Sequence, residues 1–153
     1  MLDSKDRQLI HELKSVCVDG CNFYEMTARK ASSSDIRMLF REMALVRGEV
    51  VSDINKRFSG MKDVQTCNSE LALTVRAIYE LVYGKCREAV DKGCLDDLEV
   101  MENRTLEIFK INVRRMRDRR ISSFLAGHLA NLQLSQDRLH RLKNERQGQA
   151  RRA

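Results

Sequence analysis

The sequence predicts an all-α protein, a four-helix bundle built from two helical hairpins with an additional connecting helix. Its 153 residues include no proline, which fits long helices better than a loop-rich or β-sandwich fold. Apolar side chains recur at steps of three and four residues, as on the buried face of an amphipathic helix. Polar segments with serine or glycine divide this pattern into five stretches, which we interpret as five helices of one ordinary domain.

The first two helices are predicted over residues 4–31 and 34–58. Ser33 or Ser34 is a suitable N-cap for the second, because a serine hydroxyl can accept a hydrogen bond from a backbone N–H at a helix start. The short connection makes the two helices an antiparallel hairpin. The apolar stripe of the first helix is Ile10, Leu13, Cys17, Gly20, Tyr24, Ala28 and Ala31. That of the second is Ile36, Leu39, Phe40, Met43, Val46, Val50, Ile54 and Phe58.

A third helix is predicted near residues 69–92, after an irregular stretch that begins at Ser59 and Gly60. Lys92 and Gly93 are expected to end it. At about 1.5 Å per residue, this helix is long enough to carry the chain from one end of the bundle to the other. Its predicted stripe is Leu71, Thr74, Val75, Ile78, Leu81, Val82, Lys85, Cys86 and Ala89.

Two further helices, predicted over residues 95–117 and 120–146, form the second hairpin around a tight turn near residues 117–120. Residues 147–153 are expected to form a flexible basic tail, so that residues 1–146 make up the single domain. The fourth stripe is Leu95, Leu98, Glu102, Thr105, Phe109, Val113 and Met116. The fifth is Ile121, Leu125, His128, Leu132, Ser135, Leu139 and Leu142.

The two hairpins are related by a shift of 85 residues, which also brings their turns to the same place. Either one hairpin has been duplicated, with the third helix as connector, or two unrelated hairpins of similar length align. The shift places Ile10 on Leu95, Leu13 on Leu98, Tyr24 on Phe109, Ala28 on Val113, Ile36 on Ile121, Leu39 on Phe124, Phe40 on Leu125 and Ile54 on Leu139.

Residues 16–24 read VCVDGCNFY, and residues 39–42, LFRE, and Arg47 follow them. This pattern resembles the first hairpin of a bacterial family of uncharacterised ferritin-like helical bundles, a domain of unknown function. Residues 136–142 resemble the close of its last helix, and the resemblance spans residues 8–146. It implies a ferritin-like fold in a bacterial cytoplasmic protein, of a kind sometimes linked to stress responses, and it implies no known activity.

A ferritin-like fold raises the question of a di-iron centre, which takes a glutamate from each of two helices and Glu-x-x-His from each of the other two. The sequence contains no Glu-x-x-His, and its nearest approach is Asp137 before His140. We therefore expect no metal site and no cofactor. Glu102 and His128 are the only candidate ligands, because both lie on apolar stripes. They are about 10 Å apart along the bundle, too far for one metal ion.

Glu102 is the sharpest mismatch between residue type and position. An antiparallel fifth helix places it level with Ser135 and Gln136, whose hydrogen bonds are expected to offset the cost of burying a carboxylate. In that case Glu102→Gln is tolerated or mildly stabilising. The alternatives are that Glu102 binds a metal or ligand, or that it forms a buried ion pair with an arginine such as Arg47. His128 is expected to be a hydrogen-bonded core histidine.

The cysteines are expected to be reduced thiols that are buried or have no functional role. Their number is odd, the N-terminal residues are polar, and no C-x-x-C or zinc-ligand spacing is present. No apolar run approaches the roughly 20 residues that a membrane span needs. We therefore expect a cytoplasmic protein that does not enter a membrane. The five cysteines are Cys17, Cys21, Cys67, Cys86 and Cys94.

The net charge of +6 is concentrated near the C-terminus, where residues 138–153 hold six basic residues and one Glu. Basic side chains bind phosphates with little sequence preference, so contacts to nucleic acid or an acidic partner are one interpretation and simple solvation is the other. A second basic segment, residues 114–120, lies at the predicted turn, where charges are normally solvated. The candidate contacts are Arg138, Arg141, Lys143, Arg146, Arg151 and Arg152.

No catalytic constellation is found in the sequence, so the expected function is non-enzymatic. We expect a structural or protein-interaction role, with self-association through a helical face. The first alternative is a divergent ferritin-like protein that binds metal or has redox activity. The second is a weak nucleic-acid binder that uses the basic C-terminal segment.

Overall fold

The computed structural model describes residues 2–58, 69–86, 90 and 92–152, and within them the chain is all-helical. The prediction of an all-α fold is therefore confirmed. No helix in these ranges is both long and apolar enough to cross a membrane. The five helices are α1 (Ser4–Lys30), α2 (Ser34–Arg57), α3 (Glu70–Cys86), α4 (Lys92–Arg115) and α5 (Arg119–Arg152).

Four of the helices pack side by side in a ring, in the order α1, α2, α5, α4. In this ring α1 and α5 each lie against both α2 and α4. Three contacts between carboxylates of α2 and basic side chains of α5 fix the two helices antiparallel, because residue numbers rise on one helix as they fall on the other. The third helix, α3, packs against α1 and α4 on one side of this arrangement. The three pairs are Asp35 with Arg146 at 2.7 Å, Glu42 with Arg138 at 2.9 Å and Asp53 with His128 at 2.9 Å.

Two apolar clusters fill the interior. One lies toward the α4–α5 turn and takes its buried side chains from α1, α2, α4 and α5. The other takes them from α1, α2, α3 and α4, and among the described side chains of α5 only Leu139 adds a fully buried contribution. The third helix is thus more than a connector, because it completes half of the core in the place that α5 takes in the other half.

Four of the five predicted stripes lie at the core. Every member of the first and fourth stripes is buried, and in the second and fifth only Val46, Phe58 and Leu142 are partly exposed. In the eight pairs related by the 85-residue shift, every side chain is buried except the half-buried Phe124. Both hairpins therefore present the same positions to the interior.

The stripe predicted for the third helix is wrong in part. Its buried residues follow alternating steps of three and four, whereas the prediction placed Leu81 inward and omitted Tyr79. Leu81 is 64% exposed and Tyr79 is 4% exposed. The prediction placed Leu81 in the core because leucine is hydrophobic, whereas the regular spacing of the buried residues selects Tyr79 for the packing face of α3. The buried set is Ala72, Val75, Tyr79, Val82 and Cys86.

Two boundaries also differ from the prediction. Lys92 belongs to α4 and does not end the third helix. Residues 87–89 and 91, which the prediction also placed in the third helix, lie outside the described residues. The segment predicted as a tail from Gln147 continues α5 to Arg152, because a single glycine at position 148 is too weak a signal to end the helix. The predicted irregular stretch after Ser59 lies outside the described residues.

The expectation of reduced thiols is wrong for Cys86 and Cys94, which form a disulfide bond. The end of α3 and the start of α4 bring their Cα atoms to 5.6 Å, within the usual range for a disulfide. Cys17 and Cys21 are free, and Cys67 lies outside the described residues. The number of cysteines does not show that Cys86 and Cys94 lie close together across the α3–α4 connection.

The first turn of α1 is tied to the α4–α5 turn by Asp6, which is 1% exposed. Its Oδ1 accepts a hydrogen bond from the backbone N–H of Arg117 at 2.9 Å, and its Oδ2 accepts one from that of Asp118 at 3.1 Å. One buried carboxylate thereby pairs two amides of the turn and fixes the end of α1 against the second hairpin.

Replacing Asp6 with alanine is expected to lower the free energy of unfolding by about 3 kcal/mol, because two charge-assisted hydrogen bonds are lost. The control is Ser69→Ala, which removes a hydroxyl at the start of α3 that accepts from the Ala72 amide at 3.2 Å, at a cost of about 1 kcal/mol. Urea denaturation measures both values. Equal losses in the two variants contradict a tie between α1 and the turn.

Candidate functional site

Four helices each direct one polar side chain to a common point in the core. These residues are Tyr24 of α1, Arg47 of α2, Tyr79 of α3 and Glu102 of α4, and we call them the buried polar cluster. Their exposed fractions are 0%, 2%, 4% and 3%. Burial of this much polarity is costly unless each group finds a partner, so the contacts within the cluster decide what it can do.

Both carboxylate oxygens of Glu102 are occupied. Oε1 accepts a hydrogen bond of 2.5 Å from the Tyr24 hydroxyl and a longer one of 3.5 Å from the Tyr79 hydroxyl. Oε2 accepts from Nη2 of Arg47, which forms an ion pair with it. The guanidinium also donates to the Met43 carbonyl at 2.9 Å and lies 4.9 Å from the centre of the Tyr24 ring.

Gly20 makes room for this arrangement. A Cβ atom at position 20 would lie 2.7 Å from the Tyr79 hydroxyl oxygen and 2.8 Å from Cδ of Arg47, closer than side-chain atoms normally approach. Both neighbours are held by Glu102 and have little freedom to withdraw. The glycine on the α1 stripe is therefore needed for the close approach of α2 and α3 to α1.

The charges in the cluster balance. Burial raises the pKa of the Tyr24 hydroxyl well above its ordinary value, and the Glu102 carboxylate raises it further. Burial and Glu102 raise the pKa of Tyr79 in the same way. Burial has the largest single effect on the pKa of Arg47 and lowers it, but Glu102, the two tyrosines and Cys17 together outweigh burial, so the net pKa is raised. At neutral pH two neutral tyrosines therefore donate to one carboxylate that is neutralised by one guanidinium.

Cys17 lies one turn before Gly20 on the same stripe and is 2% exposed. Burial raises its pKa to about 12, an effect that the nearby Arg47 opposes and Glu102 reinforces. The side chain is therefore a thiol at neutral pH. Because thiolates are the reactive form, this environment does not activate Cys17 as a nucleophile or metal ligand.

The donor set of the cluster does not suit a metal ion. Glu102 has no oxygen left without a partner, and the cation that balances it is the guanidinium of Arg47. Within the described residues, no group of three or more His, Cys, Asp or Glu side chains is arranged to hold a metal ion. The cluster holds helices together, and its geometry offers no open position for a substrate.

The expected partners of Glu102 were wrong, and the buried ion pair considered as an alternative is present. The Ser135 hydroxyl donates to the Leu132 carbonyl of its own helix at 2.8 Å and makes no bond to Glu102. Tyr24 and Arg47 reach the carboxylate first, because α1 and α2 bring longer polar side chains across the core.

His128, the other candidate ligand, belongs to a separate contact. Its Nε2 lies 2.9 Å from Oδ2 of Asp53, and its ring packs edge-on against Phe124. It is 8% exposed, as expected for a core histidine with a partner. The two candidate ligands are thus engaged by different residues on different faces of α2.

Much of the positive charge predicted to contact nucleic acid is neutralised within the chain. Arg138 pairs with Glu42, and Arg146 pairs with Asp35. Lys143 pairs with Asp96 at 3.1 Å and with Glu99 at 2.6 Å. Arg141 lines a groove between α2 and α5. Arg151 and Arg152 lie on the last turn of α5, and their side chains are outside the described set.

From the sequence, Glu102 was identified and Arg47 was named as its partner in one alternative, but Tyr24 and Tyr79 were not expected to contact it. Arg47 lies at a core position of α2, four residues after Met43 and three before Val50, and this spacing is a signal that was available. Tyr79 lies between Val75 and Val82 at the same regular steps. The inward position of Arg47 favours the ion-pair alternative over the hydrogen bonds that were expected from Ser135 and Gln136.

Comparison with models of protein families finds none that matches the chain. Searches of curated proteins and of solved structures find no match either. The function of the chain therefore has to be inferred from its own residues and their geometry.

Replacing Glu102 with glutamine is expected to lower the free energy of unfolding by about 3–5 kcal/mol, because Arg47 is left as an unpaired buried cation. This reverses the tolerance expected from the sequence. Adding Arg47→Met to this variant removes both charges, and the side-chain carbonyl of the introduced glutamine can still accept from Tyr24. The double variant should therefore be more stable than Glu102→Gln alone.

The control is Glu107→Gln, on the exposed face of the same helix, where a change of about 0.5 kcal/mol or less is expected. Thermal and urea unfolding measure all three variants. A Glu102→Gln variant as stable as the wild type rules out a strong interaction between Glu102 and Arg47.

Replacing Gly20 with alanine is expected to destabilise the protein by about 1–3 kcal/mol, because the added methyl group displaces Tyr79 or Arg47. The matched control is Gly127→Ala on α5, where a Cβ meets open space. There the higher helix propensity of alanine should stabilise the protein by up to about 1 kcal/mol. Urea denaturation gives both values. The interpretation fails if the two substitutions change stability in the same direction.

Proposed function

We propose that the chain is a non-enzymatic, ferritin-like four-helix bundle of the bacterial cytoplasm that acts as a protein-interaction module and associates with itself. The observation that carries this proposal is the exposure of large apolar side chains on the outer face of α2. Met38 is 63% exposed and Leu45 is 65% exposed, and the two are seven residues, or two turns, apart on one face. Exposed apolar side chains that share a face are typical of interaction surfaces.

The closed state of the buried polar cluster supports the non-enzymatic part of the proposal. The most unusual polar residues of the core, Arg47 and Glu102, satisfy each other and two tyrosines. A catalytic carboxylate needs an oxygen that can reach a substrate, and Glu102 has both oxygens engaged in the interior. The buried polar cluster therefore serves to hold the helices together.

The groove between α2 and α5 supports a second copy of the chain as the partner. Both signs of charge line it, beside an apolar floor, so the same surface on another copy can be complementary to it. A two-fold dimer requires this property, because each patch meets itself. The lining residues are Asp35, Met38, Leu39, Glu42, Arg138, Arg141, Leu142 and Glu145.

Arg141 and Glu145 in this groove make no ion pair with any other described residue. They are four residues apart on one face of α5, and the exposed Leu134 (55%) lies two turns before Arg141 on the same face. In a two-fold arrangement, Arg141 of one copy can meet Glu145 of the other, twice. Such pairs set register and orientation, while the apolar contacts supply most of the binding free energy.

Sedimentation equilibrium of the purified, untagged protein tests this proposal. We expect a concentration-dependent dimer that the double variant Met38→Glu, Leu45→Glu converts to a monomer with unchanged helicity. The matched control is Val100→Glu, Ile111→Glu, which places two charges on the outer face of α4, where these side chains are 67% and 39% exposed.

A wild-type protein that stays monomeric over the whole concentration range rules out self-association. Equal loss of the dimer in the control variant places the interface elsewhere. Elemental analysis of the same untagged protein tests the metal-binding alternative, and stoichiometric iron would overturn the non-enzymatic proposal.

A further inference from the structure

Four separate parts of the chain meet at the end of the molecule that holds the α4–α5 turn. Asp6, at the start of α1, binds the amides of the turn. Phe58, which follows α2, contacts Phe124 of α5 with 6.5 Å between ring centres. The start of α1, the end of α2, the end of α4 and the start of α5 therefore form one surface, which we call the turn end.

The first two of these segments contribute four cations to the turn end. Lys5 and Arg7 lie in the first turn of α1, and Lys56 and Arg57 lie in the last turn of α2. All four residues are exposed. The two pairs are about 50 residues apart in the sequence, so only the folded structure shows that they share one surface.

The second hairpin contributes five more cations. Arg114 and Arg115 end α4, Arg117 lies in the turn, and Arg119 and Arg120 begin α5. All five are exposed. From the sequence, residues 114–120 were interpreted by themselves as a solvated turn; the structure adds the four cations of α1 and α2 to the same surface.

The carboxylates of the turn end do little to neutralise this charge. Nine cations face four carboxylates within residues 2–7, 53–58 and 114–120, a net charge of +5 out of +6 for the chain. Asp6 is buried against backbone amides, Asp118 accepts from the amide of Arg120, and Asp53 contacts His128. Only Asp3 forms an ion pair with one of the nine, Arg117 at 3.1 Å.

At the opposite end of the molecule, carboxylates neutralise several of the basic side chains. Its basic residues on α5 alternate with carboxylates of α2 and α4, which pair with Arg138, Lys143 and Arg146. Two basic segments of similar net charge in the sequence thus have different surroundings. The C-terminal segment is neutralised at Arg138, Lys143 and Arg146 by carboxylates of neighbouring helices, whereas residues 114–120 are joined by further cations.

We propose that the turn end binds the phosphodiester backbone of a double-stranded nucleic acid without sequence preference. Seven of its nine cations are arginines, whose planar guanidinium groups make paired hydrogen bonds to phosphate. Cations spread over four chain segments suit the repeated charges of a duplex, which carries one charge per roughly 1.7 Å of its axis.

The surface favours a duplex over the other polyanions. Single-stranded nucleic acids are usually held by stacking on exposed aromatic side chains, and an amphipathic membrane-binding surface inserts large apolar ones. Among the described residues of the turn end, no large apolar or aromatic side chain is exposed. The arginine and lysine side chains of the turn end are expected to contact phosphates and not base edges, so duplex DNA and duplex RNA should bind alike.

Fluorescence anisotropy with labelled duplexes of two unrelated sequences tests the proposal on the full chain. We expect the two affinities to agree within about threefold and to fall steeply with salt. The logarithm of the association constant should decrease with the logarithm of salt concentration with a slope of about −4. The triple variant Arg114→Gln, Arg115→Gln, Arg120→Gln should bind at least about tenfold more weakly and lower the magnitude of this slope by about 2–3.

The matched control is Arg29→Gln, Arg151→Gln, Arg152→Gln, which removes the same charge from the last turns of α1 and α5 at the other end, outside the α2–α5 groove, and should change affinity less than about threefold. Circular dichroism and melting temperature verify that both variants are folded. Absence of duplex binding by the wild type, equal losses in both variants, or a loss confined to the control overturns the proposal. So does stronger binding to vesicles of anionic lipid than to duplexes under the same conditions.

Discussion

The ion pair between Arg47 and Glu102 constrains the rest of the structure, because α2 and α4 stand across the core from each other and must both reach its centre. Two charges removed from water are tolerable only while they stay in contact. Sliding either helix by one residue moves its side chains by about 1.5 Å, several times the tolerance of a hydrogen bond. Tyr24 and Tyr79 extend the same requirement to α1 and α3.

The position of α3 follows from this requirement and from the unequal halves of the core. Near the α4–α5 turn, the hairpins α1–α2 and α4–α5 cover each other without help. In the other half, α5 contributes little beyond Leu139, and Val75, Tyr79 and Val82 of α3 take its place. The disulfide between Cys86 and Cys94 then joins the end of α3 to α4, which carries Glu102.

Periodicity in the sequence was enough to predict the helices, four buried stripes and the inward position of Glu102, since these depend on spacing within one segment. The pair with Arg47 remained one of several alternatives, and the contact of Tyr79 was missed, because both depend on how separate segments lie relative to one another. Arg47 on α2 faces a residue 55 positions away, and Tyr79 is buried by regular spacing where Leu81 is the more hydrophobic neighbour. The Cys86–Cys94 bond and the convergence at the turn end likewise exist only once the helices are placed.

The contact between Gly20 and the cluster has a consequence for how this protein can change over evolution. A side chain at position 20 is compatible with the fold only if Arg47 or Tyr79 becomes smaller, and a smaller residue at position 47 leaves Glu102 without its counter-ion. These positions should therefore vary together or not at all. Homologues can be recognised by that joint pattern of glycine, two tyrosines, arginine and glutamate, even where the rest of the helical surface has diverged beyond recognition.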